Sequence, residues 1–246
     1  DARLTADHEI AHTYFPFYMG INETRYAFMD EGWATTLEYL IGIDENGEAA
    51  AQEFYKNFRV KRWINDPSSE QDQPIITMST QVSGAGYGNN SYVKASLSYL
   101  ALKDYLGDDL FKKALHHYMN NWNGKHPIPW DYFNSMNTGS GKNLNWFFNN
   151  WFYTNNYIDL KIGATAQQNN LLSISVDNVG GFAIPFDAKI KYEDGDVETL
   201  HFSPSVWEKD QTKTVLTIPI KKKVKSINLD GGLFMDYTPE NNSKNL

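Results

Sequence analysis

Two histidines and a glutamate near the beginning of the sequence have the types and the spacing of a metal site. They lie in the motif His-Glu-Ile-Ala-His at residues 8–12, where His12 follows His8 by four positions. On a helix, residues four apart lie one turn apart on the same face, so both imidazoles can bind a single ion. We predict a helix here, with His8 and His12 as metal ligands and Glu9 as the base that accepts a proton from water.

A third ligand is predicted at Glu31. Eighteen residues separate Glu31 from His12, and Glu31 begins a run with helical periodicity. Two histidines and one carboxylate are a ligand set of catalytic zinc, in which water takes the fourth tetrahedral position. Zinc makes that water acidic and polarises a carbonyl group, which is the chemistry of peptide hydrolysis. We therefore predict one Zn²⁺ ion. The opposing interpretation is that the glutamates are ordinary surface residues and the histidines are packing residues. It requires that this spacing arose by chance.

Helices must hold these residues, and the sequence changes character after they end. Apolar residues recur at helical spacing at first, with Pro16 and Gly42 after the first two segments, and alternate in short runs from Asp159 onward. Gly-Gly and Asp-Gly pairs separate several of those runs. We predict an α+β, multi-domain fold, with a mainly helical lobe at residues 1–157 and an all-β sandwich at residues 158–246. The predicted helices cover residues 4–15, 27–41, 48–63, 93–105, 109–122, 130–136 and 144–152.

One long stretch, residues 65–91, has no clear periodicity. It contains Pro67, Pro74 and three glycines between positions 84 and 88. Loops of this length in compact domains are often functional. We predict that this stretch forms a wall of the active site.

Charge and composition exclude several other functions. The net charge is -8 and the only dense basic run is the short one at residues 221–223, so we expect no nucleic-acid partner. No apolar stretch approaches the ~20 residues that cross a bilayer, so we expect no membrane span. From the aromatic, cysteine-free composition we expect an extracytoplasmic location, in a bacterial periplasm or secreted.

The metal motif resembles that of the aminopeptidase N family of gluzincin zinc metallopeptidases. The family pattern is His-Glu-x-x-His, 18 residues, and then Glu within Asn-Glu-Gly-x-Ala. Here residues 30–34 read Asp-Glu-Gly-Trp-Ala, so Asp30 departs from the usual Asn. In thermolysin-type enzymes the third ligand comes one residue later. The resemblance implies a thermolysin-like catalytic lobe, an immunoglobulin-like sandwich after it, and peptide substrates.

The resemblance also implies an oxyanion donor. The family's catalytic tyrosine precedes a Lys-Gly or similar pair at the start of a helix, and Ser-Tyr-Val-Lys-Ala at residues 91–95 looks like this element. Tyr92 is therefore the predicted donor, and Tyr87 is a second candidate. Glu38 lies seven residues after Glu31, close to the same helix face, and could orient a ligand histidine. We assign His116, His117, His126 and His201 to structural roles.

The beginning of the chain affects the predicted specificity. The metal motif follows Asp1 by only seven residues, and the family's Gly-x-Met-Glu-Asn segment, which binds the substrate's amino terminus, is absent. We expect the amino-terminal part of the same protein to be a partner that completes the cleft. We predict a zinc aminopeptidase that releases N-terminal residues, and two alternatives stay open: a zinc endopeptidase, or a zinc-binding but inactive fragment with a structural or binding role.

Overall fold

The computed structural model describes residues 2–66 and 72–246. The chain divides into two compact units, Asp1–Asn155 and Asn156–Leu246. The first unit is helical and the second is built from antiparallel strands, which confirms the predicted α+β class. Residues 67–71, which belong to the predicted loop at 65–91, lie outside the described residues. Within the described chain, no helix combines the length and the apolar character needed to span a membrane.

The first unit is a bundle of helices interrupted by short irregular turns. Its α-helices are α1 (Ala2–Ala11), α2 (Glu23–Tyr26), α3 (Glu31–Asn46), α4 (Glu48–Tyr55), α5 (Lys61–Ile64), α6 (Gly86–Gly88), α7 (Ala95–Leu106), α8 (Asp108–Trp122), α9 (Pro129–Ser140) and α10 (Asn145–Phe152). The segment Thr13–Tyr18 is kinked, with extended backbone at Phe15. Wider π-helical turns occur at Lys56–Val60 and Asn89–Lys94, and a 3-10 turn occurs at Ala27–Met29. Such π-turns are rare and are found frequently at functional sites.

The end of α3 differs from the sequence prediction. We expected Gly42 to lie just past this helix, but α3 continues to Asn46 and ends at Gly47. Gly47 has φ +83°, a conformation that glycine adopts without strain, whereas Gly42 is packed inside the helix against Leu4 and Ala51. The prediction was wrong because a glycine ends a helix only where the backbone turns left-handed.

Large aromatic rings form the centre of the helical unit. The indole of Trp33 on α3 stacks on the ring of Tyr99 on α7, with centroids 4.0 Å apart, and on Phe15 at 5.5 Å. All three side chains are buried. The Tyr99 hydroxyl donates a 2.9 Å hydrogen bond to the Phe28 carbonyl, so its polar end is satisfied. This cluster fixes α3 against α7 at the end of α3 that begins with Glu31.

The second unit is a two-sheet antiparallel sandwich. Strands β1 (Leu160–Gln168), β2 (Leu171–Asn178) and β5 (Lys213–Pro219) form one sheet in the order β1-β2-β5. The other sheet has the order β4-β3-β6-β7 and contains β3 (Phe186–Tyr192), β4 (Val197–Phe202), β6 (Val224–Asp230) and β7 (Ser243–Asn245). Alternate residues such as Leu172, Ile174 and Ile190 are buried, as the period of two predicts. Asn169 and Asn170, both at positive φ, form the tight turn between β1 and β2.

The contact between α3 and α7 gives a stability prediction. A Cβ at Gly32 would lie 2.6 Å from the Ala95 Cβ and 3.0 Å from a Tyr99 ring carbon. Because both neighbours are held in helices, Gly32→Ala should destabilise the protein by about 1–3 kcal/mol through overpacking. The loss would be measured by urea unfolding.

The matched control is Gly42→Ala in the same helix, where the new Cβ would lie 3.5 Å from Leu4 and 3.6 Å from Ala51, ordinary contact distances. Helix propensity favours this change by up to about 1 kcal/mol. Equal losses of stability in the two variants would contradict the packing argument.

Candidate metal centre

The two histidines of the motif lie at the end of α1. His8 is inside the helix and buried, and His12 follows the last helical residue with helical backbone angles. Their imidazole rings are one turn apart, with centroids separated by 4.9 Å in an edge-on arrangement. This places both Nε2 atoms on the same side of the helix, as the spacing predicts.

Glu31, the first residue of α3, meets both histidines. Its Oε2 lies 3.0 Å from His8 Nε2 and 3.6 Å from His12 Nε2. Ligands bound at 2.0–2.1 Å around a tetrahedral ion are separated by roughly 3.4 Å, so these atoms fit around one divalent ion such as zinc. Burial acts to raise the pKa of Glu31, but the facing His8, Tyr92 and His12 outweigh it and the pKa lies below its ordinary value. The carboxylate is therefore ionised and ready to bind a cation.

Glu9 lies at the edge of this group. Its Oε2 is 4.0 Å from His12 Nε2, and its side chain is 66% exposed. Candidate ligand atoms of His8, Glu9 and His12 all lie within 4.8 Å of one another. Glu31 is closer to both histidines and less exposed, so it fits better as the third ligand. The exposed carboxylate of Glu9 is open to a water or a substrate beside the ion.

Asp30 holds the outer nitrogen of His12. Its Oδ1 lies 2.8 Å from His12 Nδ1, and the Phe15 carbonyl lies 2.8 Å from the same nitrogen. Two acceptors at Nδ1 keep the proton there and turn the Nε2 lone pair toward the metal position. Asp30 is completely buried, and burial together with the neighbouring Glu23 and Glu31 raises its pKa to about 8, while His12 acts to lower it. The family's usual Asn and this Asp both offer an acceptor oxygen.

The other ligand histidine has a different neighbour. Arg59 Nη2 lies 3.4 Å from His8 Nδ1, and the same guanidinium binds Glu38 through Nε at 3.1 Å and Nη2 at 3.0 Å. The hydrogen bonds of Glu38 thus run to Arg59, which stands beside His8. Sequence reasoning missed Arg59. The available signal was Glu38 itself, because a carboxylate on the buried face of a helix requires a cationic partner.

Tyr92 lies in the π-turn before α7 and faces the same group. Its ring stacks on His8 at 6.0 Å, and its hydroxyl is one of the groups that lower the pKa of Glu31. Burial, followed by the charge of Glu31, raises the pKa of Tyr92 well above its ordinary value, so the hydroxyl keeps its proton. Tyr87 is farther out, with its ring 6.5 Å from that of Tyr92 and 42% of its surface exposed. Tyr92 therefore fits the donor position better than Tyr87.

Three side chains around Tyr92 bind the stretch that precedes it. Asn89 Nδ2 donates to Asp66 Oδ2 at 2.9 Å, and Asn90 Nδ2 donates to the Pro74 carbonyl at 3.1 Å. Lys94 Nζ donates to the Gln73 carbonyl at 2.7 Å and to both Asp72 oxygens at 3.2 Å. Asp66 and residues 72–74 of the predicted wall thus hold the π-turn that carries Tyr92. Sequence reasoning missed these contacts.

Three of the four remaining histidines have local partners. His126 Nδ1 contacts the Gly20 carbonyl at 2.9 Å, His201 Nδ1 contacts Asp187 at 2.7 Å, and His117 Nε2 contacts Asn121 at 3.0 Å. Across residues 2–66 and 72–246, only His8, Glu9 and His12 form a group of three or more His, Asp or Glu side chains whose ligand atoms lie within 4.8 Å of one another. The metal site proposed from the sequence has no competitor in this part of the chain.

Comparison with known proteins identifies the family. Residues 2–151 match the model of the peptidase family M1 domain. The match covers more than half of the chain, so the chain belongs to peptidase family M1, and the resemblance to the aminopeptidase N family is confirmed.

A solved structure shares the fold. The crystal structure of Legionella pneumophila aminopeptidase A in complex with aspartic acid is similar at a TM-score of 0.64 and 17% sequence identity. The similarity covers 90% of this chain and 25% of that one. The likeness shows the fold of a helical lobe followed by a β-sandwich, and the chain spans about a quarter of the length of that aminopeptidase.

The buried ion pair behind Tyr92 gives a second prediction. The Lys94 side chain is completely buried and that of Asp72 is 11% exposed. Lys94→Ala removes one partner and leaves a charge in a low-dielectric site, so it should destabilise the helical unit by roughly 3–5 kcal/mol. The double variant Lys94→Met with Asp72→Asn should recover most of that loss. Urea unfolding measures all three proteins.

Lys103→Ala is the control, because Lys103 pairs with Asp108 at a much more exposed position. Its effect should stay within about 1 kcal/mol. A double variant no more stable than Lys94→Ala alone would show that the buried charge is not the source of the loss.

Proposed function

We propose that the protein to which this chain belongs is a zinc-dependent aminopeptidase, and that this chain supplies its metal ligands, its general base and its oxyanion donor. The observation that carries the proposal is the position of Glu31 Oε2, 3.0 Å from His8 Nε2 and 3.6 Å from His12 Nε2, in a chain of peptidase family M1. The aminopeptidase specificity is supported by the family resemblance of residues 30–34 and by the aminopeptidase whose fold the chain shares.

His8, His12 and Glu31 would hold the ion. When bound there, zinc supplies a Lewis acid that polarises the peptide carbonyl and makes the attacking water more acidic. Glu9 accepts a proton from that water at a carboxylate oxygen and passes it to the nitrogen of the leaving amine. The exposure of Glu9 allows both contacts, since 66% of its side chain is accessible to solvent.

Tyr92 acts on the other side of the reacting carbonyl. As water attacks, negative charge develops on the carbonyl oxygen, and a donor aimed at that oxygen lowers the barrier. Burial and Glu31 keep the Tyr92 hydroxyl protonated, so it can donate at neutral pH. The stacking of its ring on His8 holds the hydroxyl beside the metal position. The guanidinium carbon of Arg59 lies over the ring of Tyr92, 5.4 Å from the ring centre.

Replacement of the base is the first test of this function. In the full-length enzyme, Glu9→Gln should lower kcat by about 10²–10⁴ because the amide cannot accept a proton. Bound zinc should stay near one ion per chain, because Glu9 is not a ligand in this proposal. The measurements are initial rates on an aminoacyl fluorogenic substrate and metal analysis of the purified protein.

Glu53→Gln, on the exposed side of α4, is the matched control and should leave both values unchanged. A peptide with a free amino terminus should be cleaved and its acetylated form should not. Cleavage of both forms would favour an endopeptidase. A Glu9→Gln enzyme within tenfold of wild type, or a full-length protein without zinc, would rule out the proposal.

The assignment of the oxyanion donor gives a further prediction. Tyr92→Phe removes only the hydroxyl and should lower kcat by about 10²–10³ with little change in KM, because the contact forms as charge develops. Tyr87→Phe should have a much smaller effect, since Tyr87 is more exposed and lies beyond Tyr92. The same steady-state assay compares the variants. A larger loss for Tyr87→Phe would reverse the assignment.

A further inference from the structure

A cavity of about 690 Å³ opens beside Tyr92. Part of the lining is a single helical stretch that contributes Phe58, Arg59 and Arg62, and the rest includes Tyr87 and Tyr92. The lining therefore combines aromatic rings with two guanidinium groups. The proposed mechanism uses Tyr92 alone among these residues as a group that contacts substrate.

The two arginines present unused donors to this cavity. Arg59 uses Nε and Nη2 for Glu38 and His8, and its Nη1 takes no part in these contacts. Arg62 follows three positions later, on the same side of the stretch, and its side chain is exposed. Within residues 2–66 and 72–246, Arg62 makes no hydrogen bond or ion pair. The charge of Arg59 is balanced by Glu38, whereas that of Arg62 is not.

The acidic residue in the lining is already hydrogen-bonded to Asn89. Asp66 lines the same cavity, and its Oδ2 accepts the 2.9 Å hydrogen bond from Asn89. This bond ties its carboxylate to the π-turn that carries Tyr92. The planar guanidinium of Arg62 and the apolar ring of Phe58 line the same cavity. This pair suits a ligand with a short carbon chain that ends in a carboxylate.

We propose that this cavity binds a carboxylate of the peptide substrate, with Arg62 and the Nη1 edge of Arg59 as its donors. The inference rests on the proposed function, because a peptide whose reacting carbonyl lies at Tyr92 extends its neighbouring residue into the adjoining cavity. An acidic side chain and the free carboxyl terminus of a short peptide offer the same group. Phe58 and Tyr87 pack against the carbon atoms that carry it.

The test uses the full-length, zinc-loaded enzyme and two sets of peptides. In the first set, peptides with an amidated carboxyl terminus carry one Glu or one Gln at each successive position. In the second, neutral peptides of two to four residues have a free or an amidated terminus. We expect kcat/KM to favour the carboxylate by roughly tenfold or more in at least one set, the size of a charge-assisted hydrogen bond.

Arg62→Gln should bring that ratio close to one, and Arg62→Lys should retain part of it, because a lysine keeps the charge but not the planar pair of donors. Lys61→Gln is the matched control: it removes the same charge one residue away, outside the cavity lining, and should leave the ratio unchanged. A preference in the first set assigns the group to a side chain, and one in the second assigns it to the terminus. Either result supports the inference.

Two results would overturn the inference while leaving the proposed function intact. One is hydrolysis of peptides with a free amino terminus but with no preference for a carboxylate in either set. The other is a preference that Arg62→Gln does not reduce. If no unblocked peptide is hydrolysed at all, the proposed function itself fails, so the two failures are distinguishable.

Discussion

The geometry of the metal site depends on how deeply α3 packs against its neighbours at Gly32. Because this residue has no side chain, the start of α3 can lie where a Cβ would be only 2.6 Å from Ala95. The preceding residue, Glu31, is thereby held 3.0 Å from His8 Nε2. Protein interiors are close-packed, so a displacement at Gly32 would be passed on to the carboxylate. A residue that binds nothing thus sets the distances among those that bind the ion.

The two histidines then differ in what stands behind them. His12 Nδ1 faces two oxygens, from Asp30 and Phe15, while His8 Nδ1 faces the guanidinium of Arg59. Acceptors behind an imidazole increase its basicity as a ligand, and a cation in the same place decreases it. The pair of ligands that looks equivalent in the motif is therefore unequal in the folded chain. Glu38 accepts hydrogen bonds from Arg59 and so holds the guanidinium beside His8.

The sequence predicts the parts of the site that depend on local periodicity or fixed spacing. His8 and His12 follow from the helical repeat, and Glu31 follows from its spacing after His12. The ion pair of Lys94 and Asp72 could not be predicted from the sequence, because two residues 22 positions apart with no shared motif meet only after the chain has folded. The same holds for Glu38 and Arg59, 21 positions apart. The fold class was predictable because period-two and helical patterns occupy separate parts of the chain.

The irregular turn that carries Tyr92 shows why such contacts matter. A π-turn is rare and occurs mostly as a single turn within an α-helix. Here Asn89, Asn90 and Lys94 add side-chain bonds to three residues earlier in the chain, Asp66, Pro74 and Gln73. Those bonds fix the position of the turn. The ring of Tyr92 is thereby held 6.0 Å from that of His8, at the edge of the metal centre.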